Sequence, residues 1–464
     1  MFIPFAKYEP DRDPLSPESS RYISNVIPDG DTYIQAKSLF AQSSAANSQA
    51  TGAYEYTTGS GANVTIVGSL TKAEKVTSSA VTDISRVGGY TNAPSDRWQF
   101  TQFGPDIIAV TGRNADQPQR SVGGGVFADI GTSTDTPYGG KCIATLGDFV
   151  VMGNVVEHTT FTQKLFRVHW SAIGDPTDWT VSATTQCGYQ DLSAEYGEVK
   201  AIIGGEVGYI FQERAITRMT YVGSPVVFQF DTVVTNQGAI SHDAVIDANG
   251  LIYFLGQDGF YVFDGQSIQD IGDQQVNRTF LENLNDSYKY LVTAAYDPMH
   301  KAVVWSYPSG SNTTCNALLY YSLKKGPYKW SVVSDDTETI FTTNIDGDRP
   351  KLGAIDTSHK VATQSGISNT SYVYTGWHST APYRSMITKL RPVLEEESNA
   401  ASILISGKEY REESPYSGFS FSELSDKSWS GRIAGRYFRA RVELQNGARA
   451  KGIEVEEMRR LGKR

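Results

Sequence analysis

The chain of 464 residues is poor in the residue types that build disulfide frameworks and metal sites. Its three cysteines, Cys142, Cys187 and Cys315, lie far apart and form no CxxC pair. This spacing indicates a reducing compartment and no disulfide framework. The six histidines are not spaced as ligands on one helix or strand. We therefore predict neither a metal site nor a cofactor site.

Long apolar runs are also missing. No stretch approaches about 18 consecutive apolar residues, so the sequence predicts no membrane span. The N-terminal segment has a proline at position 4 and charges from Lys7 onward. It therefore lacks the apolar core of a secretory signal, and we expect a protein that is made and folded in a cytoplasm.

Positive charge is in the minority and is unevenly placed. The net charge is −10, which argues against a general coat for nucleic acid. Residues 431–464 nevertheless contain ten Lys or Arg against four Glu, a balance of +6, so residues 1–430 carry −16. Two interpretations stay open: a basic end that binds an acidic partner, or a solvated strand face with a polar tail.

Aromatic residues, glycine and short strand patterns are abundant. Residues 251–272 show the recurring unit, in which short apolar or aromatic runs alternate with glycine- and aspartate-containing turns. Similar units fill residues 50–380 and are too closely spaced for parallel crossovers. Repeats of roughly 40–50 residues predict an all-β protein with a β-propeller. The length gives six or seven blades, and we predict about six; a pair of large β-sandwiches is the alternative.

The two ends of the chain differ from this body. Residues 1–50 are interrupted by five prolines, and we expect an extended arm that is disordered or ordered on other subunits. Residues 51–383 form the predicted propeller. Residues 384–464 are predicted to form a β-rich, sandwich-like platform module, in which Asn446-Gly447 makes a type I′ hairpin turn. Along 437–444, apolar and charged residues alternate, so one face is core.

Catalytic motifs are weak. The chain has no G-x-S-x-G elbow, so nucleophilic hydrolysis has no local support. Carboxylates close in sequence rarely form an acid–base pair on one strand, and we predict no catalytic residue from the close sets Asp175/Asp178, Asp335/Asp336 and Glu395–Glu397. The segment 344–350 lacks the closing carboxylate of a calcium loop. Asp258, Asp264 and Asp270 are interpreted as turn formers.

Several segments together resemble one family. They are EPDRDPLSPESSRYISNVIPDGDTY (9–33), DISRVGGYTNAPSDRWQFTQFGPDIIAVTG (83–112), GDFVVMGN (147–154), WSAIGDPTDWT (170–180), GGEVGYIFQERAITRMTYVGSPVVFQFD (204–231), LGQDGFYVFDGQSIQDIG (255–272) and GRYFRARVEL (435–444). In this order they resemble the tail nozzle, or tail tubular, proteins of short-tailed bacteriophages, also called tail-hub or phage stabilisation proteins.

The resemblance implies a non-enzymatic virion protein of the tail. It implies a ring of six copies below the dodecameric adaptor of the head-to-tail connector, around a channel through which double-stranded genomic DNA is ejected. Tail fibres or spikes attach nearby in this family. The resemblance fixes no individual residue, but we predict adaptor or subunit contacts at Tyr33, Arg436, Arg439 and Arg441. The alternative role of the arginines is an ion pair within the chain, for instance with Glu443.

Two other functions stay open. A propeller that hydrolyses glycans would need two carboxylates within about 5–10 Å of each other over an aromatic-lined pocket. A receptor- or glycan-binding module would expose aromatic side chains at loop tips, for which Trp377, Tyr383 and Tyr416 are the candidates.

Overall fold

The predicted succession of short strands is present throughout the chain. The computed structural model describes residues 1–58, 60–113, 116–131, 134–347, 349–395, 399–415 and 418–462. Within these ranges the only helical elements are the helix α1 (Asn277–Asn283) and two 3-10 turns, Ala194–Tyr196 and Asp286–Leu291. The all-β prediction is confirmed.

The N-terminal segment contributes six strands. They are β1 (Phe2–Pro4), β2 (Lys7–Tyr8), β3 (Ser19–Ser20), β4 (Val26–Asp29), β5 (Thr32–Gln35) and β6 (Phe40–Ala45). β2 and β3 pair in parallel with each other, while β1, β4 and β5 join a large sheet formed with the C-terminal residues. The segment is extended, and it is ordered by pairing within its own chain.

Six consecutive four-stranded antiparallel sheets follow. Blade 1 comprises β7 (Ala50–Thr57), β8 (Asn63–Ser69), β9 (Ala73–Val76) and β10 (Val81–Asp83), and blade 2 comprises β11 (Gln99–Phe103), β12 (Asp106–Val110), β13 (Gln119–Val122) and β14 (Phe127–Asp129). Blade 3 comprises β15 (Cys142–Leu146), β16 (Phe149–Val156), β17 (Gln163–Trp170) and β18 (Gly188–Asp191). Blade 4 comprises β19 (Val199–Ile203), β20 (Val207–Gln212), β21 (Ala215–Gly223) and β22 (Val227–Thr235). Blade 5 comprises β23 (Val245–Ala248), β24 (Leu251–Leu255), β25 (Phe260–Phe263) and β26 (Ile268–Asp270), and blade 6 comprises β27 (Thr293–Asp297), β28 (Ala302–Tyr307), β29 (Ala317–Ser322) and β30 (Trp330–Val333).

A seventh blade closes the ring. It comprises β31 (Thr337–Thr343), β32 (Lys351–Asp356), β33 (Lys360–Thr363) and, as its fourth strand, the N-terminal β6. β6 pairs antiparallel with β33, with Ala41 opposite Ala362. The sequence analysis predicted about six blades, and the structure corrects this to seven. One strand of the extra blade comes from the N-terminal segment, outside the body over which the repeats were counted.

The second strand of each blade is generally apolar on both faces because blades pack on both sides of it. β12, β16 and β28 are buried at every residue. Between blades 5 and 6, the core contains Phe260, Trp305 and Trp330, with ring centroids 4.7–6.3 Å apart. This double burial explains why these strands read as continuous apolar runs rather than as alternating patterns.

The C-terminal residues form a second unit, here called the terminal sheet. Its strands are β34 (Ser371–Tyr374), β35 (His378–Ser379), β36 (Arg384–Leu394), β37 (Asn399–Lys408), β38 (Phe419–Glu423), β39 (Trp429–Gly435), β40 (Tyr437–Gln445) and β41 (Arg449–Gly462). With β1, β4 and β5 they make one nearly closed eleven-stranded sheet, in the order β34-β40-β37-β38-β39-β36-β41-β5-β4. β1 pairs with β41, and β35 pairs with β40.

The predicted details of β40 and its turn are confirmed. Every second residue from Phe438 to Leu444 is buried, and the residues between them are partly exposed. Asn446 and Gly447 both have positive φ, 56° and 71°, as a type I′ turn requires. The turn fixes the register in which Arg439 and Arg441 point away from the core.

Tyrosines join the terminal sheet to the propeller. The Tyr33 ring from β5 packs against the Tyr328 ring from blade 6, with centroids 4.3 Å apart. The Tyr328 hydroxyl donates a hydrogen bond to the carbonyl of Phe5 at 2.9 Å. Nearby, the Asp29 carboxylate pairs with Lys324 of the propeller. The N-terminal segment therefore links the two units.

Candidate functional site

Arg439 lies at the centre of an aromatic cluster on the terminal sheet. The carbon of its guanidinium is 5.1 Å from the Tyr22 ring centroid, 5.5 Å from that of Tyr374 and 5.0 Å from that of Trp377. Within the described part of the chain, no residue accepts a hydrogen bond from this guanidinium or forms an ion pair with it. Burial lowers the pKa of Arg439. The faces of the rings hold the cation, and neither tyrosine hydroxyl accepts a hydrogen bond from it.

A second withdrawn cation lies beside it. Lys408, at the end of β37, is only 4% exposed. Its Nζ donates a hydrogen bond to the Arg411 carbonyl at 2.8 Å and lies 4.6 Å from the centroid of the Trp377 ring. Burial, followed by the nearby charges of Arg439 and Arg411, lowers the pKa of Lys408.

These side chains line a cavity of about 380 Å³, here called the Arg439 pocket. The N-terminal segment forms one wall with Arg21 and Tyr22, and the terminal sheet forms the other with Trp377, Lys408 and Arg439. Tyr22 is 53% exposed, so the pocket opens to solvent beside it. Both chain ends are needed to build this pocket, which places a cluster of positive charge between aromatic rings.

The other predicted contact residues have different surroundings. The Arg441 guanidinium stacks on Tyr372 at 4.5 Å from the ring centroid, and its buried Nε has no hydrogen-bond partner. Arg436 lies near the Tyr410 ring, and its Nε is 4.0 Å from a Glu409 oxygen. Glu443, the ion-pair partner considered for the arginines, instead accepts a hydrogen bond from Ser402 at 2.7 Å.

Tyr33 does not share this surface. It is fully buried, and its hydroxyl donates to the Ala6 carbonyl and accepts from the Tyr8 amide, each at 3.3 Å. A side chain with no exposed area offers no contact to a partner. Tyr33 is thus a core residue that joins the two units of the chain.

Three members of the pocket were not selected as contact residues from the sequence: Tyr22, Trp377 and Lys408. Trp377 was considered only as an exposed aromatic at a loop tip, and it is 7% exposed. The sequence did carry one signal. Tyr372 and Tyr374 are two residues apart, and so are Arg439 and Arg441. The strands that carry these pairs, β34 and β40, are neighbours, and Tyr374 lies opposite Arg441. The other two loop-tip candidates were Tyr383 and Tyr416. Of these, Tyr416 lies outside the described residues.

Part of the C-terminal basic cluster is neutralised within the chain. Arg449 pairs with Asp29 and lies 3.6 Å from a Glu395 oxygen. Lys451 lies 3.9 Å from Asp31 and 3.8 Å from Glu395. Glu396, Glu397, Lys463 and Arg464 lie outside the described residues. The basic cluster is therefore not one continuous patch of free charge.

The propeller holds a second candidate site in its centre. A cavity of about 600 Å³ is lined by the innermost strands, including residues of β7, β11, β19, β23, β27 and β31. Arg97, which is 3% exposed, reaches across between blades. Its Nε donates to Asp243 at 2.8 Å, and one of its Nη groups donates to Thr293 at 3.1 Å and to Thr339 at 3.4 Å.

The two carboxylates lining this central cavity are engaged. Asp243 is held by Arg97 and accepts a further hydrogen bond from Gln99 at 2.8 Å. Glu55 accepts hydrogen bonds from the Thr343 hydroxyl, at 2.9 Å, and from the amide of Asn344. An ion-paired aspartate is poorly suited to donate a proton as a glycosidase acid must.

The other acidic candidates lie elsewhere. Asp175 and Asp178 accept hydrogen bonds from the amides two residues later, as turn residues do. Burial raises the pKa of Asp335 to about 6, and its carboxylate accepts a hydrogen bond from Gln364 at 3.3 Å. Among the described residues, no group of three His, Cys, Asp or Glu side chains is arranged to hold a metal ion. No helix in the described ranges is long and apolar enough to cross a membrane.

Comparisons with known proteins cover families, curated sequences and solved structures. No protein-family profile matches the chain, and no curated protein sequence is significantly similar to it. The structure of BBS1N in complex with ARL6DN has a TM-score of 0.42 at 8% identity, covering 71% of this chain and 99% of that one. The Pan2 WD40 domain of Neurospora crassa has a TM-score of 0.39 at 7% identity, and the match covers 64% of this chain and 84% of that one. A fungal alcohol oxidase has a TM-score of 0.41 at 9% identity, and the match covers 89% of this chain and 97% of that one. Similarities this distant carry no argument about activity or partner.

Proposed function

We propose that the protein is a structural subunit of a short-tailed bacteriophage tail. Six copies form a nozzle below the dodecameric adaptor of the head-to-tail connector, and tail fibres or spikes attach nearby. The proposal starts from the sequence resemblance. The observation that supports it best is the Arg439 pocket, where the terminal sheet keeps a guanidinium without an acceptor in its own chain. Such a surface fits a subunit that is completed by a partner.

The charge distribution supports a conduit for DNA. With a net charge of −10, the chain would give a ring of copies a predominantly acidic wall. A wall of like charge does not hold the phosphates that pass it, whereas a wall rich in Lys and Arg would bind DNA through counterion release. The one strongly basic stretch, residues 431–464 with ten Lys or Arg against four Glu, belongs instead to the terminal sheet, which we assign to contact with the adaptor.

In this proposal the protein is not an enzyme. The alternative, a tail protein that hydrolyses or binds glycans at the centre of the propeller, is less well supported. The carboxylates Glu55 and Asp243 that line the central cavity both hold neighbouring side chains or backbone in place. A glycosidase needs one carboxyl group free to give up a proton.

Imaging of the assembled particle tests the proposal. Purified virions of the phage that encodes this chain should contain the protein, as measured by mass spectrometry. Electron microscopy should show six copies of a propeller joined to a sheet, below the connector and around an axial channel. Virions without the protein, or copies placed only at the tips of fibres, would contradict the nozzle. Release of reducing sugars from host envelope glycans by the purified protein would favour the alternative.

A further inference from the structure

The Arg439 pocket has the chemical features of an anion site. A guanidinium offers several N–H donors in one plane, and its strongest partners are planar oxyanions that accept two of them. Around Arg439 the neighbours identified are rings, at 5.0–5.5 Å, and not oxygen acceptors. The donors of a partly buried guanidinium are thus left without the partner that they bind best.

Lys408 strengthens this conclusion. Its Nζ has three N–H donors, and the one hydrogen bond identified for it goes to the Arg411 carbonyl. The ammonium is almost fully buried next to a second cation, which is unfavourable for both charges. Glu413 and Asp13 act in the opposite direction on the pKa of Lys408, but burial and the neighbouring cations outweigh them. An anion bound between Lys408 and Arg439 would relieve the remaining repulsion and the lost hydration.

The surroundings favour a carboxylate over a phosphate. Glu412 and Glu413 also line the pocket, and Arg411 is paired with Asp13 at 3.0 Å. These acidic groups oppose a phosphate, which places about two negative charges on one group, more than a carboxylate, which places one. A cavity of about 380 Å³ accepts a side chain or the end of a peptide but not a nucleic-acid duplex. The net charge of −10 further disfavours DNA as the ligand.

We propose that the Arg439 pocket binds a carboxylate presented by an acidic peptide segment of a partner protein. The Arg439 guanidinium takes the two carboxylate oxygens, Lys408 adds a second positive charge, and the exposed ring of Tyr22 covers the adjoining peptide. The inference deepens the proposed function and rests on it, since it names the chemistry by which the terminal sheet would hold the adaptor.

A peptide titration with the full-length protein tests the inference. The probe is a fluorescently labelled hexaglutamate peptide with a blocked C-terminus, measured by fluorescence anisotropy at low and moderate salt. The wild-type protein should bind it saturably, and a hexaglutamine peptide should not bind. Arg439→Gln should weaken binding at least tenfold, because it removes the bidentate donor. Arg432→Gln is the matched control, an exposed arginine on the preceding strand β39 and outside the pocket, and should change binding less than twofold.

A second variant guards against misfolding. Arg21 lines the pocket, but its side chain is exposed, so Arg21→Gln should fold normally and weaken binding two- to fivefold. Equal affinities of the wild type and Arg439→Gln, with both proteins folded, would overturn the inference. So would displacement of the peptide by tripolyphosphate at a tenfold lower concentration than by unlabelled hexaglutamate, which would identify a phosphate site.

The titration and the particle images separate the two proposals. A ring seen below the connector, together with no peptide binding, would contradict the carboxylate site and support the nozzle. Peptide binding by a protein that is absent from the tail would contradict the nozzle and support the carboxylate site.

Discussion

Arg97 in the propeller is buried and Arg439 on the terminal sheet is partly buried, and their neighbours differ. Arg97 is bound by Asp243, Thr293 and Thr339, which come from the blade 5, 6 and 7 regions. Arg439 is surrounded by aromatic rings and has no acceptor within the described chain. Arg97 is thus held by an ion pair and hydrogen bonds within its own chain, although one of its Nη groups has no hydrogen-bond partner, whereas the terminal sheet leaves the Arg439 cation for a partner. Substitutions in the propeller should therefore act mainly on folding, and those at the pocket mainly on binding.

The largest effect is expected from removing the charge of Arg97. Arg97→Met keeps most of the apolar stem but leaves Asp243 in a largely buried site without its cation. Breaking a buried ion pair on one side costs about 3–5 kcal/mol. Urea unfolding should show a loss of this size in the free energy of unfolding. Adding Asp243→Asn should restore part of it because the uncompensated charge is gone. A loss below about 1 kcal/mol for Arg97→Met would contradict the role of Arg97 in stabilising the contact between blades.

The next effect concerns the closure of the ring by the N-terminal strand. Ala41 on β6 lies opposite Ala362 on β33. Replacing both by cysteine should give a disulfide that closes nearly the whole propeller, with a stabilisation of about 2–4 kcal/mol. The same protein in its reduced form is the control, and thermal unfolding measures the difference. If no cross-link forms under oxidising conditions, the pairing of β6 with the seventh blade is contradicted.

A smaller effect should come from Asp335, which precedes the first strand of the seventh blade. Its pKa of about 6, against an ordinary value of 3.8, means that the folded protein holds this proton more tightly than the unfolded chain. Stability from this group is therefore fully present below about pH 4 and is lost as the pH rises through about 6. Above pH 6 the partly buried charge opposes folding, by about 2–3 kcal/mol for a rise of about two pKa units.

Asp335→Asn should remove that penalty and keep an acceptor for Gln364. The variant should be more stable than the wild type at pH 7 by about 2–3 kcal/mol and nearly equal to it at pH 4, in urea titrations at several pH values. Asp336→Asn is the control, because it removes the exposed neighbouring charge and leaves the buried carboxyl group. A gain for Asp335→Asn that is the same at pH 4 and pH 7 would contradict the assignment to ionisation.

Local patterns made much of this fold predictable. Alternation along β40 and the Asn446-Gly447 turn gave the buried face and the hairpin, since both depend on neighbours in sequence. Asp264 and Asp270 were also interpreted correctly as turn formers, and each accepts amide hydrogen bonds from residues two and three positions later. The propeller followed from the repetition of such units.

Long-range pairing accounts for what the sequence did not reveal. The fourth strand of the last blade comes from residues 40–45, more than three hundred positions away from most of its sheet, so a count along the chain missed a blade. The Arg439 pocket combines Tyr22 with Trp377 and Lys408, which no local pattern connects. Tyr33 was predicted as a contact residue for a partner, and the ring that covers it, Tyr328, lies in a distant blade.

The smallest effect on stability is expected from Arg439→Gln, the counterpart of the Arg97 substitution. The change removes cation–π contacts, which are worth about 0.5–1 kcal/mol at partly exposed sites, but it also relieves the unfavourable burial of a charge beside Lys408. It leaves no carboxylate uncompensated, because none is paired with Arg439 in the described chain. The free energy of unfolding in urea should therefore fall by at most about 1 kcal/mol, several times less than for Arg97→Met. A loss as large as that of Arg97→Met would show that Arg439 holds the terminal sheet together, and the contrast between the two units would then disappear.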